Sequence, residues 1–128
     1  MISNIIANEL GSSVAELIFK TNLFVEFGTE TKQVLVKTIE VTNPEQTIID
    51  FEKAKMEIFV EGWDKQAGYD LSNEIAGFIK PMTGLYTYNS KSYTIKSVVM
   101  DKLPVPTYHD DTDAFLGFST KFNLFYQI

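Results

Sequence analysis

One group of side chains in this 128-residue chain could bind a cation or catalyse a reaction: His109, Asp110, Asp111 and Asp113. Carboxylates beside an imidazole can hold a divalent cation, and a histidine with an aspartate can act in acid–base catalysis. The segment lacks the glycine and the distal glutamate of a calcium-binding loop, and no serine or cysteine nucleophile is marked nearby. Because such acidic loops are more often solvated tips, we predict neither a metal site nor a cofactor, and we do not expect an enzyme.

Composition excludes several other kinds of chemistry. The chain has no cysteine, which rules out disulfides, thiolate-bound zinc and cysteine nucleophiles. Its 7 glycines do not form a phosphate-binding loop or a dinucleotide fingerprint. All 11 basic residues are lysines against 17 acidic residues, and the formal charge is −6. A basic face with arginine forks, as nucleic-acid recognition needs, is therefore not expected, and the many aromatic side chains are assigned to core and interface packing.

The length and composition of the chain predict a single domain over residues 1–128. No apolar run approaches the roughly 20 residues that span a bilayer. Residues 1–10 contain no lysine or arginine, so they are not predicted to be a signal peptide. We therefore expect no membrane association and synthesis in a cytoplasm, with residues 1–10 in the folded chain.

Two segments have the hydrophobic spacing of helices. Residues 2–19 place apolar side chains three and four positions apart, although the glycine and serines at 11–13 weaken the middle. One bent helix and two short helices are both compatible with this pattern. Residues 65–80 form the strongest predicted helix, with Asp64 as its N-cap and Pro81 as its end.

The remaining segments alternate between polar and apolar residues, which is typical of strands. Turns are predicted at Asn43-Pro44-Glu45 and Asn89-Ser90, and residues 104–113 are predicted to be a long polar loop bracketed by prolines. The order α-β-β-β-α-β-β-β predicts an α+β fold, in which a mainly antiparallel sheet packs against the 65–80 helix and an N-terminal helix is added. The predicted strands are residues 23–27, 34–41, 53–63, 85–88, 93–103 and 118–128.

This order of segments resembles a known family. The sequence KMEIFVEGWD at 55–64 leads directly into the 65–80 helix, and TNLF at 21–24 follows the N-terminal helix. A hairpin, an acidic loop carrying Leu116-Gly117 and a last strand with FNLF at 122–125 complete the order. Over nearly its whole length the chain resembles the small neck proteins of long-tailed bacteriophages (siphophages), which are called tail terminators or minor capsid proteins.

The resemblance implies a structural role in the virion, at the neck of the tail. Such proteins close into a ring, usually a hexamer, that ends tail-tube polymerisation and joins the tail to the head connector, and DNA passes through the bore. The implied partners are other copies of the chain, the tail-tube protein and the head connector proteins. An acidic bore would repel DNA rather than hold it, as a conduit requires.

Two groups of residues are the candidate contacts of such a ring. Phe59 and Phe125 interrupt otherwise polar strand faces, and Leu23 and Phe24 form an apolar pair, so these four are expected at subunit or partner interfaces. The loop at 104–113 is expected to face the bore or a neighbouring ring. Its candidate residues are Tyr108, His109, Asp110, Asp111 and Asp113.

Three other interpretations remain open at this point. The chain could be another head–tail joining protein or a tail-tube subunit, and a tube subunit would polymerise into long cylinders. It could be a small cytoplasmic protein-binding module that does not form a ring. It could also be a hydrolase that uses His109 and the aspartates, in which case a metal ion should raise its thermal stability.

Overall fold

The computed structural model describes residues 2–43 and 51–128. Within them the chain order is helix, three strands, helix and three strands, as the sequence predicts. The elements are α1 (Ile2–Ser13), β1 (Leu23–Val25), β2 (Gln33–Thr42), β3 (Phe51–Glu61), α2 (Lys65–Ile79), β4 (Gly84–Tyr88), β5 (Lys91–Tyr108) and β6 (Phe115–Gln127).

The strands that the structure describes form one sheet in the order β1-β2-β3-β6-β5-β4. The pair β1 and β2 is parallel, and the other neighbouring pairs are antiparallel. The predicted α+β class with a mainly antiparallel sheet is confirmed. The strand β6 lies at the centre, between β3 and β5, although it is the last element along the sequence.

Both helices pack on the same side of the sheet, since residues of α1 and α2 share one core with alternate residues of the strands. On the helix-covered face, Met56, Phe122 and Leu124 are fully buried together with apolar residues of α1 and α2. Tyr126 lies in the same core. Its burial raises the pKa of the phenol above the ordinary value, and the Glu52 carboxylate adds to the shift.

The opposite side, called the open face below, has no helix packed on it among the described residues. It consists of the odd-numbered residues of β3 and β6 with their neighbours on β2 and β5. One row across it reads Lys37, Glu57, Lys121 and Lys102. A mixed-charge row of this kind is what a solvated sheet face requires.

The helix α2 has the boundaries that its capping residues dictate. The Asp64 carboxylate accepts a hydrogen bond of 2.9 Å from the Ala67 amide, which satisfies one of the free donors of the first turn. The helix ends at Ile79, just before Pro81. Gly68 packs closely on Phe118 of β6, so the glycine serves the approach of the helix to the sheet.

The N-terminal helix is single and shorter than the apolar spacing suggests. It ends at Ser13 rather than continuing to residue 19, next to the glycine and serines that weaken it. Val14 and Leu17 still enter the core, whereas Ile18 is exposed because the helical spacing no longer applies after residue 13.

Several predicted strand boundaries differ from the structure, and one predicted turn falls partly outside the described residues. The strand predicted at 23–27 stops at Val25, since Glu26 adopts a positive φ of 70°. The strand predicted at 93–103 continues to Tyr108, so the predicted loop at 104–113 is wrong in its first half. The last strand begins at Phe115 rather than at residue 118. In the predicted turn Asn43-Pro44-Glu45, positions 44 and 45 lie outside the described residues.

Candidate interaction surfaces

The acidic residues form the tip of the β5–β6 hairpin, called the acidic tip below (residues 109–114). The tip is a tight turn rather than a long loop. The His109 amide donates to the Ala114 carbonyl at 2.8 Å, and the Asp113 amide donates to the His109 carbonyl at 3.0 Å. Asp113 takes the left-handed conformation, φ 54°, which aspartate tolerates better than most residues. The side chains of His109, Asp110, Asp111 and Asp113 are all exposed.

An aromatic cluster fixes the hairpin to the first turns of α2. The rings of Tyr108 and Phe115 lie 6.1 Å apart, Phe115 and Phe118 lie 5.3 Å apart, and Tyr69 of α2 lies 5.6 Å from Phe118. The Lys65 ammonium lies over the rings of Tyr108 and Phe115, and its Nζ is 3.2 Å from the Tyr108 hydroxyl. Tyr108 therefore lies at the base of the acidic tip, where it pairs with Phe115. The aromatic cluster holds the tip at one end of the sheet.

The acidic tip does not have the geometry of a metal site. Among residues 2–43 and 51–128, no three histidine, aspartate or glutamate side chains converge closely enough to hold a metal ion. The aspartates point into solvent around the turn instead of toward a common centre. Their shared property is an exposed negative charge.

Phe59 and Phe125 lie on the open face, and both are half-buried. The Lys37 ammonium lies 6.0 Å from the centre of the Phe59 ring, and the Lys53 ammonium lies 5.8 Å from that of Phe125. Phe51 also stacks on Phe125, with 6.5 Å between the ring centres. A lysine ammonium therefore lies over each ring, and neither ring is among the exposed large apolar side chains.

The predicted pair Leu23 and Phe24 is divided between the two faces of β1. Leu23 is fully buried beneath α1, so its assignment to an interface is wrong. The reason is the alternation of the strand, which turns one residue of any adjacent pair into the core. Phe24 remains half-buried on the open side, where it packs closely against Gly28.

Among residues 2–43 and 51–128 the most exposed large apolar side chain is Phe27, which is 80% exposed and was not predicted to be a surface contact. Phe27 follows β1 in the segment 26–32, called the knob loop below. The positive φ of Glu26 ends the strand and turns Phe27 outward. No local signal in the sequence marks this, since a glutamate is not expected in that conformation.

A second missed feature is the free edge of β5. The strand β4 pairs with β5 only as far as Ile95, and no described strand pairs with that side of β5 beyond it. Large apolar side chains are exposed along this stretch. It also contains Pro104 and Pro106, which lie in the predicted loop at 104–113. The apolar residues are Val99, Leu103, Val105 and Tyr108.

The prolines line an apolar groove between β5 and α2. Pro104 and Pro106 form one wall, the aromatic rings of Tyr69 and Phe118 form the other, and Lys65 and Gln66 lie at the rim. Proline is compatible with β5 at this position because the strand is an edge there, and an edge residue needs no amide donor on its outer side.

No protein-family model matches this chain, and no curated protein matches it in sequence. Neither of the two described helices is long and apolar enough to cross a membrane.

Proposed function

We propose that this chain is a structural subunit of a bacteriophage neck, a tail terminator. Copies of it close into a ring of about six, which ends tail-tube polymerisation and joins the tail to the head connector. DNA passes through the bore without tight binding. The proposal rests on the resemblance in the order of segments, and it places the protein in the virion rather than assigning it a catalytic role.

The observation that carries the proposal is the free edge of β5. A group of exposed large apolar side chains is more typical of a protein–protein contact than single exposed ones are. Here Val99, Leu103, Val105 and Tyr108 are exposed along a strand edge that is unpaired among the described residues. Assembly with another subunit would cover this edge.

The acidic tip supports the conduit role in the proposal. Its three aspartates are exposed, and the aromatic cluster at its base packs the hairpin onto α2. A negatively charged projection repels the phosphate backbone, so DNA can slide past it. We assign the acidic tip to the bore of the ring or to the face that meets the next ring.

The assembly state is the first test. Size exclusion with light scattering, repeated over a wide concentration range, should give one discrete species near six subunits, and electron microscopy should show rings. Cylinders of indefinite length would favour a tail-tube subunit. A monomer at every concentration would contradict self-assembly into a ring and favour a protein-binding module.

The role of the acidic tip has its own test. Asp110→Lys and Asp111→Lys combined with Asp113→Asn reverse the charge, and asparagine keeps the left-handed conformation at 113. We expect an unchanged melting temperature but a titre at least about ten times lower in the phage that carries the gene. The control Asp70→Lys with Glu74→Lys makes a comparable charge change on the exposed side of α2. An unaffected titre would show that the tip does not face DNA or a partner.

A further inference from the structure

We propose that Phe27 of one copy inserts into the apolar groove of the next copy, between Pro104, Pro106, Tyr69 and Phe118, and that this contact closes the ring. The inference rests on the proposed function, which supplies the ring but not its interface. The two surfaces that meet are the knob loop and the groove, and the molecule that binds in the groove is a second copy of this chain.

The first argument is the position of the two surfaces in the sheet. A row of paired residues crosses the sheet from Gln33 at the start of β2 to Thr107 near the end of β5. The knob loop lies at the β1 edge beside the first of these residues, and the groove lies at the β5 edge beside the last. At about 4.8 Å per strand, the strands β2 and β5 are separated by roughly 14 Å.

This placement has a consequence for symmetry. Because the knob and the groove are different surfaces on opposite sides of the sheet, a contact between two copies uses one knob and one groove. Each added copy leaves one free knob and one free groove, and the chain of contacts ends only when the first copy meets the last. Contacts between two different patches have this property, and they produce closed rings when the rotation between copies allows it.

The second argument is that the knob is held in shape before it binds. The Glu30 amide donates to the Gln33 side-chain carbonyl at 3.0 Å, and the Thr38 amide donates to the Glu26 carboxylate at 3.1 Å. A side chain at Gly28 would collide with Gln33 and Phe24, so the loop is packed tightly onto the sheet. An exposed aromatic ring on a constrained loop loses little conformational entropy when it is buried.

The third argument is complementarity of charge around the apolar contact. Exposed Glu30 lies three positions after Phe27, and Lys65 lies at the rim of the groove. One hydrogen bond, to the Tyr108 hydroxyl, uses only one of the three donors of the Lys65 ammonium. With Phe27 in the groove, Glu30 of one copy is the matching partner for Lys65 of the next.

The prolines also determine the kind of contact that the groove accepts. Pro104 and Pro106 lack amide donors, so this part of the β5 edge cannot take an added strand with a full ladder of hydrogen bonds. Side-chain insertion is the contact that remains. An aromatic ring between prolines and other aromatic rings is a common form of interface anchor.

Cysteine cross-linking tests the contact directly, because the chain has no cysteine of its own. The variant Thr29→Cys with Gln66→Cys keeps the Phe27 anchor and places one thiol on the exposed knob loop and one at the groove. Under mild oxidation it should form a ladder of covalent oligomers that stops at the ring number. An equal mixture of the two single variants should stop at dimers. The matched control Leu85→Cys with Gln66→Cys uses a residue that is also exposed, 69%, but on β4, and it should give no ladder.

A substitution gives the second readout. Phe27→Asp should raise the concentration at which half of the protein is assembled by about 30-fold or more, as expected for an aromatic anchor. The melting temperature of the monomer should not change, because Phe27 has little contact with its own chain. Leu85→Asp should leave assembly as it is in the unsubstituted protein.

The outcomes separate this inference from the proposed function. If the unsubstituted protein forms rings but the Thr29 and Gln66 cysteines give no ladder, the contact is wrong and the ring stands. The contact is also wrong if Leu85→Asp disrupts the ring as strongly as Phe27→Asp. If the unsubstituted protein is monomeric throughout, the proposed ring fails and the contact fails with it.

Discussion

The two faces of the same sheet differ in what covers them. On the helix-covered face, Met56 and Phe122 face each other across β3 and β6 and are fully buried. One position along, Glu57 and Lys121 face each other on the open face and remain half-buried. Adjacent residues of one strand therefore serve two purposes, since one set stabilises the fold and the other is available for contacts outside the chain.

The largest expected effect is on the helix-covered face. Phe122→Ala removes a fully buried ring from the centre of the sheet, and we expect it to lower the free energy of unfolding by about 3–5 kcal/mol. Urea denaturation followed by circular dichroism measures this directly. A loss below about 1 kcal/mol would mean that the core can collapse around the site and that the contrast between the faces is smaller than stated.

Gly117→Ala tests how tightly the central strands are joined. A methyl group at this position would collide with the carbonyl oxygen of Val60 on β3, and a backbone atom cannot move aside cheaply. We expect a loss of about 1–3 kcal/mol in the same urea experiment. Gly77→Ala is the matched control, because a methyl group there meets nothing within 4 Å and sits in a helix. It should leave stability unchanged or raise it.

Phe125→Ala has the smallest expected effect, and it sharpens the comparison. The ring is half-buried, and its contacts are Phe51 and the overlying Lys53 ammonium. We expect a loss of about 1 kcal/mol, well below that for Phe122→Ala, from partial burial and a weak cation–π contact. An equal loss at both phenylalanines would show that the open face contributes to stability as much as the covered one does.

The fold was largely predictable because its signals are local and strong. Asp64 and Pro81 mark both ends of α2, and the alternation in β3 and β6 identifies strands with one buried face. The sequence also indicated correctly that Phe59 and Phe125 belong to the more polar face. These features depend on neighbouring residues alone, which is why a single sequence contains them.

The candidate surfaces were less predictable, for physical reasons that differ from residue to residue. In a short strand the period of two cannot say which residue points inward, so Leu23 was assigned to the surface. Pro104 and Pro106 indicate a loop unless the strand is known to be an edge, which depends on how far β4 extends. Phe27 is exposed because Glu26 adopts a left-handed conformation, and the rest of the fold imposes it.

The central position of β6 has a consequence for the order in which the molecule is completed. During synthesis β1, β2 and β3 emerge first, then α2, β4 and β5, and β6 emerges after all of its neighbours. Until it does, β3 and β5 share no strand between them, and the two parts of the sheet are separate. The sheet is therefore completed by the last of its strands to be synthesised, so the groove wall formed by Phe118, and the hairpin that carries the acidic tip, form only once β6 has joined its neighbours.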